Sequence, residues 1–231
     1  MKTDLDALEE ILGHRFSDRS LLERAMTHSS FANEKKINIK EDYERLEFLG
    51  DVVLELVVSE FLYNNYPSKK EEEMTRTRAA LVCEPTLSSC ARQLGLPSFL
   101  MLGKGEEASG GRDKDSILCD VFEAAVGALY LDGGFEAAGE LIRSRLLQDW
   151  ENKALFVDSK TILQERMQAV GSRVTYRTAA EEGTPNERIF VEELLIDDVP
   201  VSRGSGSSKK AAQQKLAYEY LKSSKPEDGK K

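Results

Sequence analysis

The stretch Glu44-Arg45-Leu46-Glu47-Phe48-Leu49-Gly50-Asp51, running on into VVLELVVSEFLY, constrains this chain more than any other. No proline interrupts it and most of its residues favour helix, which predicts one helix from about Tyr43 to Tyr63. At about 3.6 residues per turn, Glu47 and Asp51 are near neighbours and Glu44 lies on the same side. Three acids on one face of a mostly apolar helix are costly to bury. Crowded carboxylates repel and lose hydration unless something cationic neutralises them. Such a face is either an exposed acidic stripe, the commoner case for an arbitrary helix, or a set of oxygen ligands for a hard divalent cation.

A chain of 231 residues suggests one or two domains, and 40% hydrophobic residues suffice for a sizeable core. Cys83, Cys90 and Cys119 form no close metal-type pair, and an odd number resists a full disulfide framework, so they read as reduced thiols. MKTDLDALEEILGH lacks the continuous apolar run of a secretion signal, and no stretch approaches a membrane span. The expectation is a cytoplasmic protein with no membrane partner. The net charge of −9 taken alone argues against a phosphate-rich partner. The charge is unevenly spread, however. Residues 158–224 hold ten basic and ten acidic side chains, so the whole acidic excess lies outside that segment.

Residues 4–12 form an amphipathic pattern, and Ser17 is a candidate N-cap for a helix over 18–26. Thr27 to Phe31 leads into a polar loop through Asp42, in which His28 reads as a hydrogen-bonded structural residue. Residues 74–94 are helical with Pro85 marking a break or a new first turn, and the Gly-rich LGKGEEASGGR (102–112) reads as a mobile loop without Walker spacing. SILCDVFEAAVGALYL (116–131) is a second informative helix. Asp120 and Glu123 share a face, while Ala124, Ala125, Gly127 and Ala128 would let another helix approach closely. Gly133-Gly134 closes it, and a further helix is expected over 135–150.

The periodicity changes after a linker at 151–157. Ser159 could cap a helix over 160–170. Strand patterns follow at 174–180, 189–196 and 200–204, then a helix from about Ser208 to Leu221. The order α-β-β-β-α fits a three-stranded antiparallel sheet with two helices on one face. The expected architecture is therefore multidomain: an all-α domain over 1–150, a small α+β domain over 158–224, and a disordered polar tail at 225–231.

Glu47, Asp51, Asp120 and Glu123 offer four carboxylates with no matching His or Cys set, which favours Mg²⁺ or Mn²⁺ over Zn²⁺. Such clusters suit phosphodiester hydrolysis, which needs no covalent nucleophile. In the second domain, Ser208 can cap a helix whose first turn carries Lys209 and Lys210, a good site for phosphates across a groove. Gln164 and Gln168 stand four apart on one face, and amides can pair with ribose 2′-hydroxyls in an RNA minor groove.

With these residues in place, the chain resembles the bacterial ribonuclease III family over nearly its full length. The resemblance rests on ERLEFLGD, LGKGEEASGGRDKDSIL and CDVFEAAVGALYLDGG in the first half, and on KTILQE (160–165) and SKKAA (208–212) in the second. It implies an all-helical endonuclease domain that dimerises, followed by a double-stranded RNA-binding domain. It implies Mg²⁺-dependent cleavage of double-stranded RNA, with Mn²⁺ able to substitute. The ends would be 5′-phosphate and 3′-hydroxyl with short 3′ overhangs, and the roles ribosomal precursor, mRNA and tRNA processing or mRNA decay. Carried over by position, Glu47, Asp120 and Glu123 would hold metal, Asp51 and Glu123 would serve the chemistry, and Glu44 and Glu71 would be accessory acids. Phe48 would insert into the partner subunit. Gln164, Gln168 and Asn186 would reach minor grooves, and Lys209 and Lys210 the phosphates between. The chain departs from the family pattern at Val52 (often Ser), at Gly183-Thr184-Pro185-Asn186 (usually GPxH) and at Ala211 (usually an acid). The alternatives are a catalytically silent double-stranded RNA-binding protein and a small-molecule phosphohydrolase. A complete acid set opposes the first and the C-terminal module the second.

Overall fold

The structure is a computed structural model that describes residues 4–35, 42–184 and 187–224. The chain divides into two compact units, Met1–Trp150 and Glu151–Lys231. No helix among the described residues is long and apolar enough to cross a membrane.

The first unit is helical: α1 (Leu5–Leu12), α2 (Arg19–Ala25), α3 (Ser29–Lys35), α4 (Glu44–Asn65), α5 (Glu71–Leu81), α6 (Glu84–Gln93), α7 (Lys104–Ala108) and α8 (Asp115–Leu141). Its core forms where α8 packs against α4, α6 and α2. From α4, Leu46, Leu54 and Leu62 are buried, and from α8, Leu118, Phe122 and Leu129. Full burial of each such side chain contributes roughly 1.5–3 kcal/mol. Around this core, α1 and α2 are fastened by two carboxylates. Glu9 accepts from Arg19 Nη2 (2.6 Å), the Phe16 amide (3.0 Å) and Arg15 Nη1 (2.9 Å), and these bonds, Arg19 foremost, hold its carboxyl down to about 2. Asp132 on α8 accepts from the Ser17 and Asp18 amides at 3.0 and 2.8 Å and pairs with His14 Nε2 at 2.8 Å.

Several local expectations shift. The N-cap of α2 is Asp18, whose side chain accepts from the Ser20 amide at 3.0 Å; the Ser17 amide is taken by Asp132. Residues 29–35 form α3 instead of a loop, while 36–41 lie outside the described residues. The helical stretch expected over 74–94 is divided where Pro85 indicated, into two helices. The first begins at Glu71, where the Lys70 amide donates to Glu73 Oε2 (3.0 Å), and Pro85 sits in the first turn of the second. The stretch 102–112 is no mobile loop: it holds α7 and a 3₁₀ turn (Gly111–Asp113). Arg112 binds the Pro97 and Leu100 carbonyls and Glu107, and Lys114 Nζ lies 2.6 Å from Glu106 Oε1. These partners are distant or side-chain-specific, so local composition did not reveal them. α8 breaks at Gly134 (φ 74°, ψ −170°), a backbone suited to glycine, and the helix expected to run to Trp150 ends at Leu141, followed by a π-helical turn over Ile142–Leu146.

The second unit comprises α9 (Trp150–Ala169), whose first residue closes the preceding unit, then β1 (Val174–Thr184), β2 (Glu187–Ile196), β3 (Val199–Gly206) and α10 (Lys209–Ser223). The sheet order is β1-β2-β3, all antiparallel. Tyr176 pairs with Leu194 and Leu194 with Ser202. Leu163, Leu194, Leu216, Ala217 and Leu221 form the core between sheet and helices. Residues 151–157, read as a linker, are helical. Ser159 is no cap but a buried residue inside α9, donating to the carbonyls of Phe156 (3.1 Å) and Gln214 (2.9 Å). The Gln214 amide in turn donates to the Phe156 carbonyl at 2.6 Å, so α10 supports the extra turns of α9. Buried Glu192 is satisfied by Thr178 Oγ1 (2.6 Å) and Gln213 Nε2 (2.7 Å), and Lys160 Nζ donates to Gln213 Oε1 (2.6 Å). Asp197 and Asp198, both at positive φ, make the tight β2–β3 turn.

Candidate active site

Glu44, Glu47 and Asp51 project from α4, and Asp120 and Glu123 from α8. What brings the two sets together is a backbone contact between glycines. A Cβ at Gly50 would lie 1.8 Å from the Glu123 carbonyl oxygen, and one at Gly127 2.2 Å from that of Leu46. Only hydrogen fits at either position, so α4 and α8 touch at the level of their acids. The small residues of α8 were legible as a surface for close approach; the matching role of Gly50 was not.

Cys119, Asp120 and Glu123 each place a ligand atom within 4.8 Å of the others. Burial comes first among the causes that raise the carboxyl pKa values, and mutual repulsion follows. Glu47 is pushed up to about 7 by burial and then by the charges of Asp120, Glu44 and Asp51. Glu123 is pushed up to about 8 by burial, Asp51, Glu47 and Asp120. Asp120 is raised by burial, against the hydrogen bond from Tyr43 and the nearby charge of His28. Burial and the charges of Glu123 and Asp120 push the Cys119 thiol up as well, so it stays protonated while its Sγ donates to Glu123 Oε1 at 3.7 Å. The donors left for a cation at neutral pH are carboxylate oxygens, a set that fits a hard divalent ion.

Asp51 and Glu44 are exposed at the edge of this group, within electrostatic reach of Glu47. Glu71 is not brought to it by any contact of its own. Its Oε1 accepts from Thr75 Oγ1 (3.1 Å), and it lines an open cleft with Leu56, Tyr63, Met74 and Arg78, to which none of the four central acids contributes. His28 takes part in the local frame: its Nδ1 accepts from the Ser30 amide (3.1 Å) and lies 2.7 Å from Ser30 Oγ. Residues near the site that sequence reasoning passed over are Cys119 and Tyr43, whose hydroxyl donates to Asp120 Oδ2 at 3.2 Å. No periodic signal marks either one.

Phe48 is 77% exposed and heads an apolar stripe on α4 with Val52, Leu56 and Tyr63. In the second unit Gln164 and Gln168 are exposed on α9. Ser208 caps α10 by accepting from the Ala211 amide at 3.1 Å, and Lys210 is exposed in the first turn. Lys209 is engaged: its Nζ is 3.1 Å from Glu181 Oε1 and 5.8 Å from the centroid of the Phe190 ring. Asn186 lies outside the described residues, as does the tail at 225–231.

The Ribonuclease-III-like family model matches residues 18–150, and the double-stranded RNA binding motif matches 159–224. The chain is similar to a protein named Ribonuclease 3 from Bacillus cereus, 46% identical over 218 residues that cover 93% of this chain and 89% of that one. A Ribonuclease 3 from Caldanaerobacter subterraneus subsp. tengcongensis is 45% identical over 221 residues, covering 94% and 96%. Two structures of the nuclease domain of ribonuclease III from Campylobacter jejuni also match. One, which shows structural flexibility in a region involved in dimer formation of that domain, has a TM-score of 0.57 at 39% identity, covering 62% of this chain and 99% of that one. The other has 0.58 at 38%, covering 63% and 95%. A helical nuclease unit carrying clustered acids is thus joined in one chain to a duplex-RNA-binding unit, with whole-length relatives that share both, and the chain belongs to the ribonuclease III family as an endoribonuclease of double-stranded RNA.

Proposed function

We propose that residues 1–150 are the nuclease domain and 158–224 the RNA-binding domain, and that Glu47, Asp120 and Glu123 hold Mg²⁺, with Mn²⁺ able to replace it. The observation that carries this reading is the half-buried carboxylate group at the Gly50–Gly127 contact, where Asp51 and Asp120 raise both Glu47 and Glu123. A bound divalent ion would supply charge neutralisation, polarise the scissile phosphate and acidify an attacking water. The protein's own part is to hold these oxygens in place before substrate arrives. Asp51, exposed at the rim, orients the attacking water and accepts its proton, and Glu123 helps fix that geometry. Glu44 and Glu71 are accessory acids that shape the electrostatics along the RNA path. The products are 5′-phosphate and 3′-hydroxyl ends with short 3′ overhangs, and the setting is cytoplasmic processing of ribosomal precursor, messenger and transfer RNA.

The RNA-binding unit grips the duplex through Gln164 and Gln168 in one minor groove, Asn186 in the next, and Lys209 and Lys210 on the phosphates between. The nuclease domain works as a homodimer, with Phe48 seated in the partner. The exposed apolar stripe of α4 supports this, as does the dimer-forming region of the similar Campylobacter jejuni nuclease domain.

The test is cleavage of a perfect RNA duplex with Mg²⁺, with Ca²⁺ and with chelator, beside the same strands unpaired. The expected result is cleavage of the duplex alone and with Mg²⁺ alone. Tight duplex binding without cleavage in Mg²⁺ would move the function to a silent binding protein.

A further inference from the structure

We infer that Tyr43 is a positioning residue for the cation site: its hydroxyl, fixed from outside the acidic helices, sets the orientation of the Asp120 carboxylate. The inference rests on the proposed role of Asp120 as a metal ligand.

Tyr43 precedes α4 and is 3% exposed, although its polar end lies among carboxylates. Three contacts place it. Its backbone amide donates to the Thr27 carbonyl at 2.9 Å. The His28 ring meets its ring edge-on, with centroids 5.6 Å apart and planes at 63°. Its hydroxyl donates to Asp120 Oδ2 at 3.2 Å. His28 is itself held by Ser30, and the Ser30 hydroxyl receives the Gly103 amide at 2.9 Å. A chain of contacts therefore runs from the segment around α7, through Ser30, His28 and Tyr43, to one oxygen of Asp120.

The chemistry is that of a partner behind a metal ligand. A donor on one carboxylate oxygen fixes the plane of the group and leaves the other oxygen to face a cation, so less rotational freedom is lost on binding. A phenol hydroxyl facing an ionised carboxylate oxygen can only donate to it, because the carboxylate has no hydrogen of its own. A phenylalanine in its place would keep the ring, its packing and the His28 contact, and would remove only the hydrogen bond.

The test compares the full-length protein with Tyr43→Phe, Asp120→Asn and the double variant. Mn²⁺ binding is measured directly by the loss of the free-ion paramagnetic signal, with thermal unfolding in chelator beside it. Tyr43→Phe is expected to weaken Mn²⁺ binding about tenfold, the scale for such partners, with the chelator melting temperature unchanged. It is expected to raise the Mg²⁺ concentration for half-maximal cleavage by a similar factor, with kcat at saturating Mg²⁺ little altered. In the Asp120→Asn background, Tyr43→Phe should add no further loss. Normal Mn²⁺ affinity in Tyr43→Phe, with Asp120→Asn impaired, would overturn the role of Tyr43 alone. Normal affinity in Asp120→Asn would overturn the reading of Asp120 itself and the inference with it. A loss of affinity in Tyr43→Phe matched by a collapse of the chelator melting temperature would make Tyr43 a packing residue and overturn the inference as well.

Discussion

At the scale of single residues, the acidic group sets function against stability. Glu47 and Glu123 sit at about 7 and about 8, against an ordinary 4.5. Between pH 4.5 and 8 the metal-free folded state therefore binds more protons than the unfolded chain, and stability falls as pH rises through that window. The depressed acids, Glu9 among them, finish ionising in the unfolded chain within about one pH unit above 4.5, so they oppose this trend only at its acid edge. In chelator, the melting temperature should decline from pH 5 to pH 8, and Mg²⁺ should restore more of it at pH 8 than at pH 5. A flat profile in thermal unfolding would contradict these shifts. Glu123→Gln should abolish cleavage, leave duplex binding in Ca²⁺ intact, and flatten the decline by removing one buried charge. Full Mg²⁺-dependent cleavage in this variant would remove Glu123 from the site.

Between elements, the crossing of α4 and α8 governs whether the acids meet. Gly127→Ala would put a methyl 2.2 Å from the Leu46 carbonyl oxygen, so the helices must part. Overpacking of this kind costs about 1–3 kcal/mol, readable as a shift in the urea midpoint, and Mn²⁺ binding should weaken with it. At the start of α10 the relevant balance is electrostatic. Lys209→Ala with Lys210→Ala should weaken duplex binding and flatten its salt dependence by roughly one to two units of slope, about one per lost phosphate contact. Because Lys209 pairs with Glu181, part of its charge is already neutralised, and Lys210 should carry the larger single effect. An unchanged slope in the double variant would make both lysines solvated bystanders.

For the whole molecule, a net charge of −9 is no obstacle to RNA binding, because the acidic excess lies outside residues 158–224. A roughly neutral RNA-binding unit implies modest affinity on its own, and two such units in the proposed dimer would raise the effective concentration of the second contact. Phe48, Val52, Leu56 and Tyr63 form an apolar stripe of the sort that association covers. Phe48→Asp should shift the protein to monomer in sedimentation velocity and lower cleavage, while the metal-free melting temperature measured at low concentration changes little. A dimer of unaltered strength would exclude Phe48 from the interface.

Periodicity within one element is a local property, and the sequence alone determined what depends on it. That includes helix against strand, the three strands that follow the helix ending near residue 170, the spacing that puts Glu47 with Asp51 and Asp120 with Glu123, and the Ser208 cap. Only the tertiary structure decided which oxygens meet. The role of Gly50 opposite the small residues of α8, the burial that raises Glu47 and Glu123, and the reach of Tyr43 to Asp120 join positions far apart in the chain, which no local pattern pairs. The same reason explains the local misreadings. The Gly-rich stretch 102–112 is held by Arg112 and Lys114 from its own C-terminal end, and residues 151–157 are supported by the Gln214 side chain of α10, so specific side-chain bonds outweighed local composition.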